Sequence, residues 1–458
     1  MFSNQSLLFL STSVTRPQIR MASRSLEELI QTLLENHGVS NIQQITCLPH
    51  PDDFNLGTYA TSLVKFTNDQ ADLNLFLKIC EVGTFVDQVR ATLLTYDKEV
   101  VFYSEILPSL TRFEVESCQK SGKQDNQKGS ESVADMVVEF YGVGLVGGNT
   151  CLVMDKFSEE HHYVKVRDEF HKAHEVECAL KHIARFHATS YAMKTCNDIH
   201  LPTLFPILNE RLFHPNCPQG IQAFFVGSFE GNVKLMSDII AEVKDGNPVV
   251  AQFRSYLRLL DDDMMDRMGD LSANLWPAMC HLATRETHTS VLCHGDFHMG
   301  NIAFHKENLN EMKLFDFQAV RYASPLTDVH QYLFQVTTPE TRTQCLQQFL
   351  TTYRDAFNAT CERLGVQSSP TFTEEFVRGE YERVSLWGFL YGFMFILRRF
   401  VCSDGWSQLG ACSSSWEVVG VVDMLELWDV IKVYFDLLVE ARVGNTLERM
   451  KHVFETSR

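Results

Sequence analysis

The segment that most restricts what this chain can fold into runs from His294 to Phe317. It reads His294-Gly295-Asp296-Phe297-His298-Met299-Gly300-Asn301, and further on Leu314-Phe315-Asp316-Phe317-Gln318. Three short apolar runs bracket it. Val291-Leu292-Cys293 leads into Asp296, Ile302-Ala303-Phe304 leaves Asn301, and Lys313-Leu314-Phe315 delivers Asp316. Each reads as a short strand, with polar His305 to Met312 as the turn between the last two. The spacing therefore sets Asp296, Asn301 and Asp316 at strand ends around one cleft.

Those residue types suit phosphoryl transfer. In-line transfer of a γ-phosphoryl group wants a carboxylate beside the attacking hydroxyl and further oxygen ligands that hold Mg²⁺ on the nucleoside phosphates. Asp296 fits the first role, Asn301 and Asp316 the second. Singly, each has a bland reading as a turn, a cap or a strand end. Together, H-G-D-x4-N followed fifteen residues later by D-F is far rarer by chance. His294 and His298 are spaced like a metal-ligand pair, but a zinc site needs a third ligand and a helix to present them, which the Gly295 between them opposes.

These residues resemble the catalytic core of the ecdysteroid kinase-like (CHK kinase-like) family, relatives of choline kinases and aminoglycoside phosphotransferases. The family reads H-G-D-x4-N and then I-D-F-Q, matched here by Asp316-Phe317-Gln318. Its continuation through a small residue, Ser-Pro and an Asp opening a helix is matched by Ala323, Ser324, Pro325 and Asp328. Upstream, Ile183-Ala184-Arg185-Phe186-His187-Ala188 is similar to the family's L-A-x-x-H-A helix. The resemblance implies an α+β, bilobal protein-kinase-like fold, with a small β-rich N-lobe over residues 25–155 and a larger, mostly helical C-lobe over residues 156–458 that holds the catalytic loop 291–318. It also implies ATP and Mg²⁺ as cofactors.

The resemblance extends to the amino-terminal half. Phe76-Leu77-Lys78-Ile79 is a strand whose Lys78 stands where a kinase lysine reaches the α- and β-phosphates. A helix from about Phe85 to Leu107 carries Lys98-Glu99-Val100-Val101-Phe102-Tyr103, similar to the family's E-x-x-F-Y, which makes Glu99 the partner of Lys78 and Glu105 the fallback. Such a pair keeps a buried lysine charged where phosphate arrives. Asn55 to Ser62 resembles the family's G-x-N-Y-x-S loop, so backbone amides and the hydroxyls of Thr58, Thr61 and Ser62 are candidate phosphate contacts. Thr150 to Phe157 reads as the strand leading to a hinge, with the backbone of Met154, Asp155, Lys156 and Phe157 as the adenine contact.

Composition excludes several other classes. A formal charge of −18 argues against nucleic acid or an anionic membrane as partner, since both need clustered Lys and Arg. Thirteen scattered cysteines, odd in number and without a C-x-x-C pair, suit reduced thiols in the cytoplasm. The longest apolar run, Val384 to Leu397, has 14 residues, short of the roughly 20 that span a bilayer. It reads as a buried helix whose aromatics Trp387, Phe389, Tyr391, Phe393 and Phe395 pack in the core or wall an acceptor pocket. Residues 1–24 read as a disordered extension, the alternative being a mitochondrial transit peptide from Arg16, Arg20, Arg24 and the many Ser and Thr. Ser25 opens the first folded helix. Ser117 to Asp135 reads as a surface loop before a strand at Val137 to Tyr141. Asp261-Asp262-Asp263 reads as an acidic helix end.

The resulting expectation is an ATP- and Mg-dependent small-molecule kinase acting on a hydroxyl of a lipophilic acceptor such as an ecdysteroid or another steroid alcohol. Two alternatives stand beside it: a choline, ethanolamine or aminoglycoside kinase, and a catalytically inactive nucleotide-binding scaffold.

Overall fold

Helix α1 (Leu26–Asn36) starts where its sequence says it should. The Ser25 hydroxyl accepts the Glu28 N–H at 3.2 Å, and Glu27 and Glu28 lie in the first turn, against the helix dipole. Its apolar stripe of Leu29, Ile30, Leu33 and Leu34 is buried. The stripe covers one face of a six-stranded sheet built from β1 (Ala22–Ser23), β2 (Ile42–Pro49), β3 (Thr58–Phe66), β4 (Leu73–Cys80), β5 (Phe140–Val146) and β6 (Asn149–Asp155). The strand order is β1-β5-β6-β4-β3-β2, antiparallel throughout except for the parallel pair β1 and β5. The helix lies so close that a Cβ on Gly144 would sit 2.3 Å from Leu29.

Strand alternation then decides which side chains face which way. Leu75 and Leu77 enter the core under α1, together with Val64 and Val153. Phe76 and Lys78 therefore face the other side, where the helical part of the molecule begins. The structure describes residues 22, 23, 25–49, 58–66, 72–80, 93–121, 132–156, 163–164, 170–244, 262–308, 310–366 and 372–395 of this computed structural model.

Helix α2 (Thr95–Val101) passes through a π-turn at Phe102–Ile106 into α3 (Leu107–Ser121). The sequence predicts a helix ending near Leu107 and a loop from Ser117; the helix runs on to Ser121 instead. Its inner face explains why. Leu110 and Glu114 are buried, and the Glu114 carboxylate accepts the Val133 N–H at 2.8 Å and pairs with Arg363 at 2.9 Å. The first part of the expected helix, up to residue 92, and residues 122–131 of the expected loop lie outside the described residues. The strand expected at Val137 to Tyr141 begins only at Phe140. Val137 bridges to Leu314 instead, flanked by bonds from Leu314 N to Met136 O (2.7 Å) and from Val138 N to Leu314 O (3.2 Å).

The remainder is mostly helical. It comprises β7 (Tyr163–Val164), α4 (Ala173–Asn197), α5 (Leu201–Leu204), α6 (Gln219–Lys244), α7 (Asp262–Thr284), β8 (Val291–Cys293), β9 (Ile302–His305), β10 (Met312–Leu314), β11 (Arg321–Ala323), α8 (Leu326–Val336), α9 (Pro339–Arg363), α10 (Glu374–Arg383) and α11 (Ser385–Phe395). The short strands form two small sheets, β10-β9-β7 and β11-β8. The fold is thus α+β and bilobal, of the protein-kinase-like kind. Helix α7 begins at Asp262; Asp261 and the side chains of Asp262 and Asp263 lie outside the described residues. Trp387, Phe389 and Tyr391 of α11 are buried in the large core; the side chains of Phe393 and Phe395 lie outside the described residues. No helix among the described residues is long and apolar enough to cross a membrane.

Candidate active site

The sheet face opposite α1 carries Lys78, which is 3% exposed. Its ammonium is 2.6 Å from Glu99 Oε2 on α2 and 2.6 Å from Asp316 Oδ1, a residue 238 positions away. Burial raises the Glu99 carboxyl from its ordinary value, and the Lys78 ammonium opposes that rise. Glu105, the fallback partner, is exposed on the π-turn, so the pairing goes to Glu99. The Gln318 amide donates to the other Asp316 oxygen at 3.0 Å.

Asp316 is brought here by its neighbours. Phe315 N donates to Asn301 O at 3.2 Å, and the Phe315 carbonyl lies 3.0 Å from His294 Nε2. The chain then turns sharply: Asp316 has φ +65°, a left-handed conformation that Asp tolerates better than most residues. Phe317 behind it is buried and stacks on Phe102 with ring centres 3.7 Å apart. Phe317, three residues past β10, thus packs on the π-turn that continues the helix carrying Glu99.

Asp296 sits in a loop held from three sides. Its Oδ1 accepts the Gln331 amide at 3.0 Å, and its Oδ2 accepts the Asn301 amide at 3.3 Å. Asn301 Nδ2 also donates to the Asp296 carbonyl at 2.9 Å. His298 Nε2 is 3.5 Å from Asp296 Oδ2, while its Nδ1 accepts the Gly300 N–H. Burial holds His294 below the ordinary histidine value, so the ring is neutral. With Nε2–H donated to Phe315 O, its Nδ1 accepts the Asp296 N–H at 3.3 Å. The two histidines therefore brace the loop, and neither presents a free face to a metal. Gly295 has φ +83°, and a Cβ there would lie 1.9 Å from Ala319 O, so only glycine fits.

Beneath the loop lies Asp328, at the start of α8 and fully buried. It accepts the N–H groups of His294 (2.7 Å) and Gly295 (3.1 Å), and His187 Nε2 of α4 at 3.1 Å. Burial pushes its carboxyl up, yet the His187 hydrogen bond and the nearby cationic groups outweigh this and hold it below its ordinary value. His187 is in turn 2.9 Å from the Tyr353 hydroxyl. His187, Cys293 and Asp328 offer ligand atoms within 4.8 Å of one another. Both Asp328 oxygens are already taken by the loop, so the cluster reads as bracing.

The structure brings together Lys78, Glu99, Asp316, Asn301 and Asp296. It does not bring Ser62 to them. Ser62 pairs with Leu75, so its side chain lies on the α1 face of the sheet, opposite Lys78. Residues 55–57 of the expected phosphate loop, the side chains of Thr58 and Thr61, and Phe157 lie outside the described residues. At the hinge, Asp155 N donates to Glu139 O (2.9 Å) and Lys156 N to Asn74 O (3.0 Å), so two of the expected adenine-binding amides already have partners within the chain. Met154 lies in the ladder of β6.

Asn301 and Asp316 suit a hard cation. Asn301 directs its amide nitrogen to Asp296, which leaves its carbonyl oxygen for a ligand, and Asp316 adds a carboxylate. Oxygen donors in that number, completed by phosphate and water, are what Mg²⁺ takes. The sequence gives no mark of Gln331 or Tyr353 and shows Gln318, Arg321, His187 and Asp328 within the matched motifs without a role for them. Arg321, 2% exposed, stacks its guanidinium 4.5 Å from the Trp387 ring, with Nη1 3.3 Å from Gly295 O and Nε 3.9 Å from Glu210 Oε2.

The sequence pattern that defines the ecdysteroid kinase-like family matches residues 59–366. No curated protein matches the chain. Among solved structures, aminoglycoside phosphotransferase APH(3'')-Id of Streptomyces rimosus is 14% identical, covering 81% of this chain and 97% of its own, with a TM-score of 0.31. An ethanolamine kinase of Plasmodium vivax is 12% identical, with 84% and 81% covered and a TM-score of 0.37. A glucosamine kinase solved with glucosamine, ADP and inorganic phosphate is 10% identical, with 81% and 82% covered and a TM-score of 0.30. Likeness at that level is remote.

Proposed function

We propose, from the premise that the chain belongs to the ecdysteroid kinase-like family and is a small-molecule phosphotransferase acting on a hydroxyl, that it moves the γ-phosphoryl group of ATP to a lipophilic alcohol, an ecdysteroid or another steroid. The observation that carries this reading is the contact of Lys78 with both Glu99 and Asp316, since a buried lysine shared by two carboxylates beside an Asp-Asn loop suits triphosphate chemistry. Lys78 would hold the α- and β-phosphates, with Glu99 keeping it in place. Asn301 and Asp316 would hold Mg²⁺, which neutralises charge on the phosphates. Asp296 would orient the acceptor hydroxyl and take its proton as the new O–P bond forms and the bond to the β-phosphate oxygen breaks. ADP then leaves.

The eleven described cysteines are all free thiols, in keeping with a cytoplasmic enzyme. The test is a panel of ecdysone, other hydroxylated steroids, choline, ethanolamine and kanamycin with ATP and Mg²⁺, scored by ADP release and by mass of the phosphorylated product. Turnover of a steroid supports the reading. Turnover of the cationic amines alone would replace the acceptor, and tight ATP binding without transfer to any of them would leave a nucleotide-binding scaffold.

A further inference from the structure

Gln331 reaches the site from beneath it. It lies one turn beyond Asp328 on α8, is fully buried, and donates its amide to Asp296 Oδ1 at 3.0 Å. Its other end is odd. The Oε1 atom is also buried and has no hydrogen-bond partner. A buried amide with an empty acceptor is destabilising, and a core position of this length would be filled without that penalty by Met or Leu. The residue therefore needs a reason other than packing, and its one polar contact supplies it.

A carboxylate turns about a broad, two-fold torsion, so nothing in Asp296 itself fixes which oxygen faces an incoming hydroxyl. Here two amides from separate elements hold one oxygen each: Gln331 of α8 on Oδ1 and Asn301 on Oδ2. The Gln331 amide is itself oriented only by Asp296, because the reversed amide would set a carbonyl oxygen against a carboxylate. We infer that Gln331 is a positioning residue for phosphoryl transfer, fixing the rotation of the Asp296 carboxylate toward the acceptor hydroxyl. The inference rests on the reading of Asp296 as the group that receives the acceptor proton.

Gln331→Met keeps the length and removes the amide. The test compares it alone and on an Asp296→Asn background, by ADP release with ecdysone as acceptor and, in its absence, with water as acceptor, and by binding of ATP with Mg²⁺. Misplacing a catalytic group by a fraction of its reach costs about 10- to 100-fold in kcat, so kcat should fall by about that much. KM for ATP should stay where it is, and the thermal midpoint should not fall. On Asp296→Asn the same substitution should change kcat by less than about twofold, because coupled residues are not additive. Equal losses on both backgrounds, or a wild-type kcat for Gln331→Met, would overturn the inference while leaving Asp296 in its role. Transfer by Asp296→Asn at the wild-type rate would overturn the role of Asp296 and the inference together.

Discussion

Replacing Lys78 by Met does more than remove a phosphate contact. It leaves Glu99, whose side chain is 1% exposed, without the ammonium 2.6 Å away. An unpaired buried carboxyl takes up a proton, and holding it neutral has a calculable cost. In the unfolded chain Glu99 ionises near 4.5, so keeping the proton at pH 7 disfavours folding by about 3 kcal/mol, at 1.36 kcal/mol per pH unit. The sign follows from proton counts: the folded variant binds one proton that the unfolded chain releases above its ordinary value, so the deficit grows with pH. At pH 5 it shrinks to under about 1 kcal/mol by the same arithmetic. Asp316 is 26% exposed and stays solvated, so it adds little. Urea unfolding of wild type, Lys78→Met and Lys78→Met with Glu99→Gln, at pH 7 and pH 5, measures this. Burial already raises the wild-type Glu99 carboxyl, so relative to wild type the single variant should lose less than this full cost at pH 7, and less still at pH 5. Adding Glu99→Gln should recover most of the loss at pH 7 without restoring ATP turnover. A deficit of the same size at both pH values, or no recovery in the double variant, would refute the argument that burial of Glu99 sets the cost.

Asp296→Asn keeps volume and one hydrogen bond but loses basicity, so kcat in single-turnover transfer should fall about 10²- to 10⁴-fold with nucleotide binding unchanged. Asp316→Ala should abolish turnover and remove the Mg²⁺ dependence of nucleotide affinity, measured by titration with and without the metal. Gly295→Ala must both adopt φ +83° and move the Ala319 carbonyl, and should destabilise the protein by about 3 kcal/mol in urea unfolding. Burial lowers His182 to about 4 and His330 to about 3, so the unfolded chain binds protons that the folded one refuses as pH falls below about 6.5. Each should take about 2 kcal/mol from stability between pH 7 and pH 5, and a variant with both changed to Gln should lose correspondingly less over that range.

Legibility in the sequence followed the range of the forces involved. The strands around Asp296 and Asp316 were readable because apolar runs and turn residues are local signals, and Ser25 because a helix cap is made within four residues. Lys78 and Glu99 came from their setting in the motifs, and the contact between them agrees. What escaped was set by contacts distant in the chain. The extension of α3 to Ser121 depends on Glu114 meeting Val133 and Arg363, in a stretch whose Lys, Gln and Ser look like loop. The face of Ser62 follows from strand register, which a one-residue shift reverses. Gln331 and Tyr353 carry no local mark at all, since an amide or a phenol on a buried helix face is ordinary until its partner 35 or 166 positions away is known.

Asp328 has a consequence for how the molecule assembles and opens. Its three donors come from His187, His294 and Gly295, which lie 141, 34 and 33 positions away along the chain. Such contacts form late, because each closes a loop before it is rewarded. Until α4, the catalytic loop and α8 have all docked, the carboxylate must either stay in water or be buried without its full set of partners. Partial docking is therefore penalised at every intermediate stage. The loop cannot fray alone, because its release would strand a buried anion. The amide hydrogens of His294 and Gly295 should accordingly exchange with solvent only through the largest opening the protein undergoes, with protection equal to that of the helix cores they rest on.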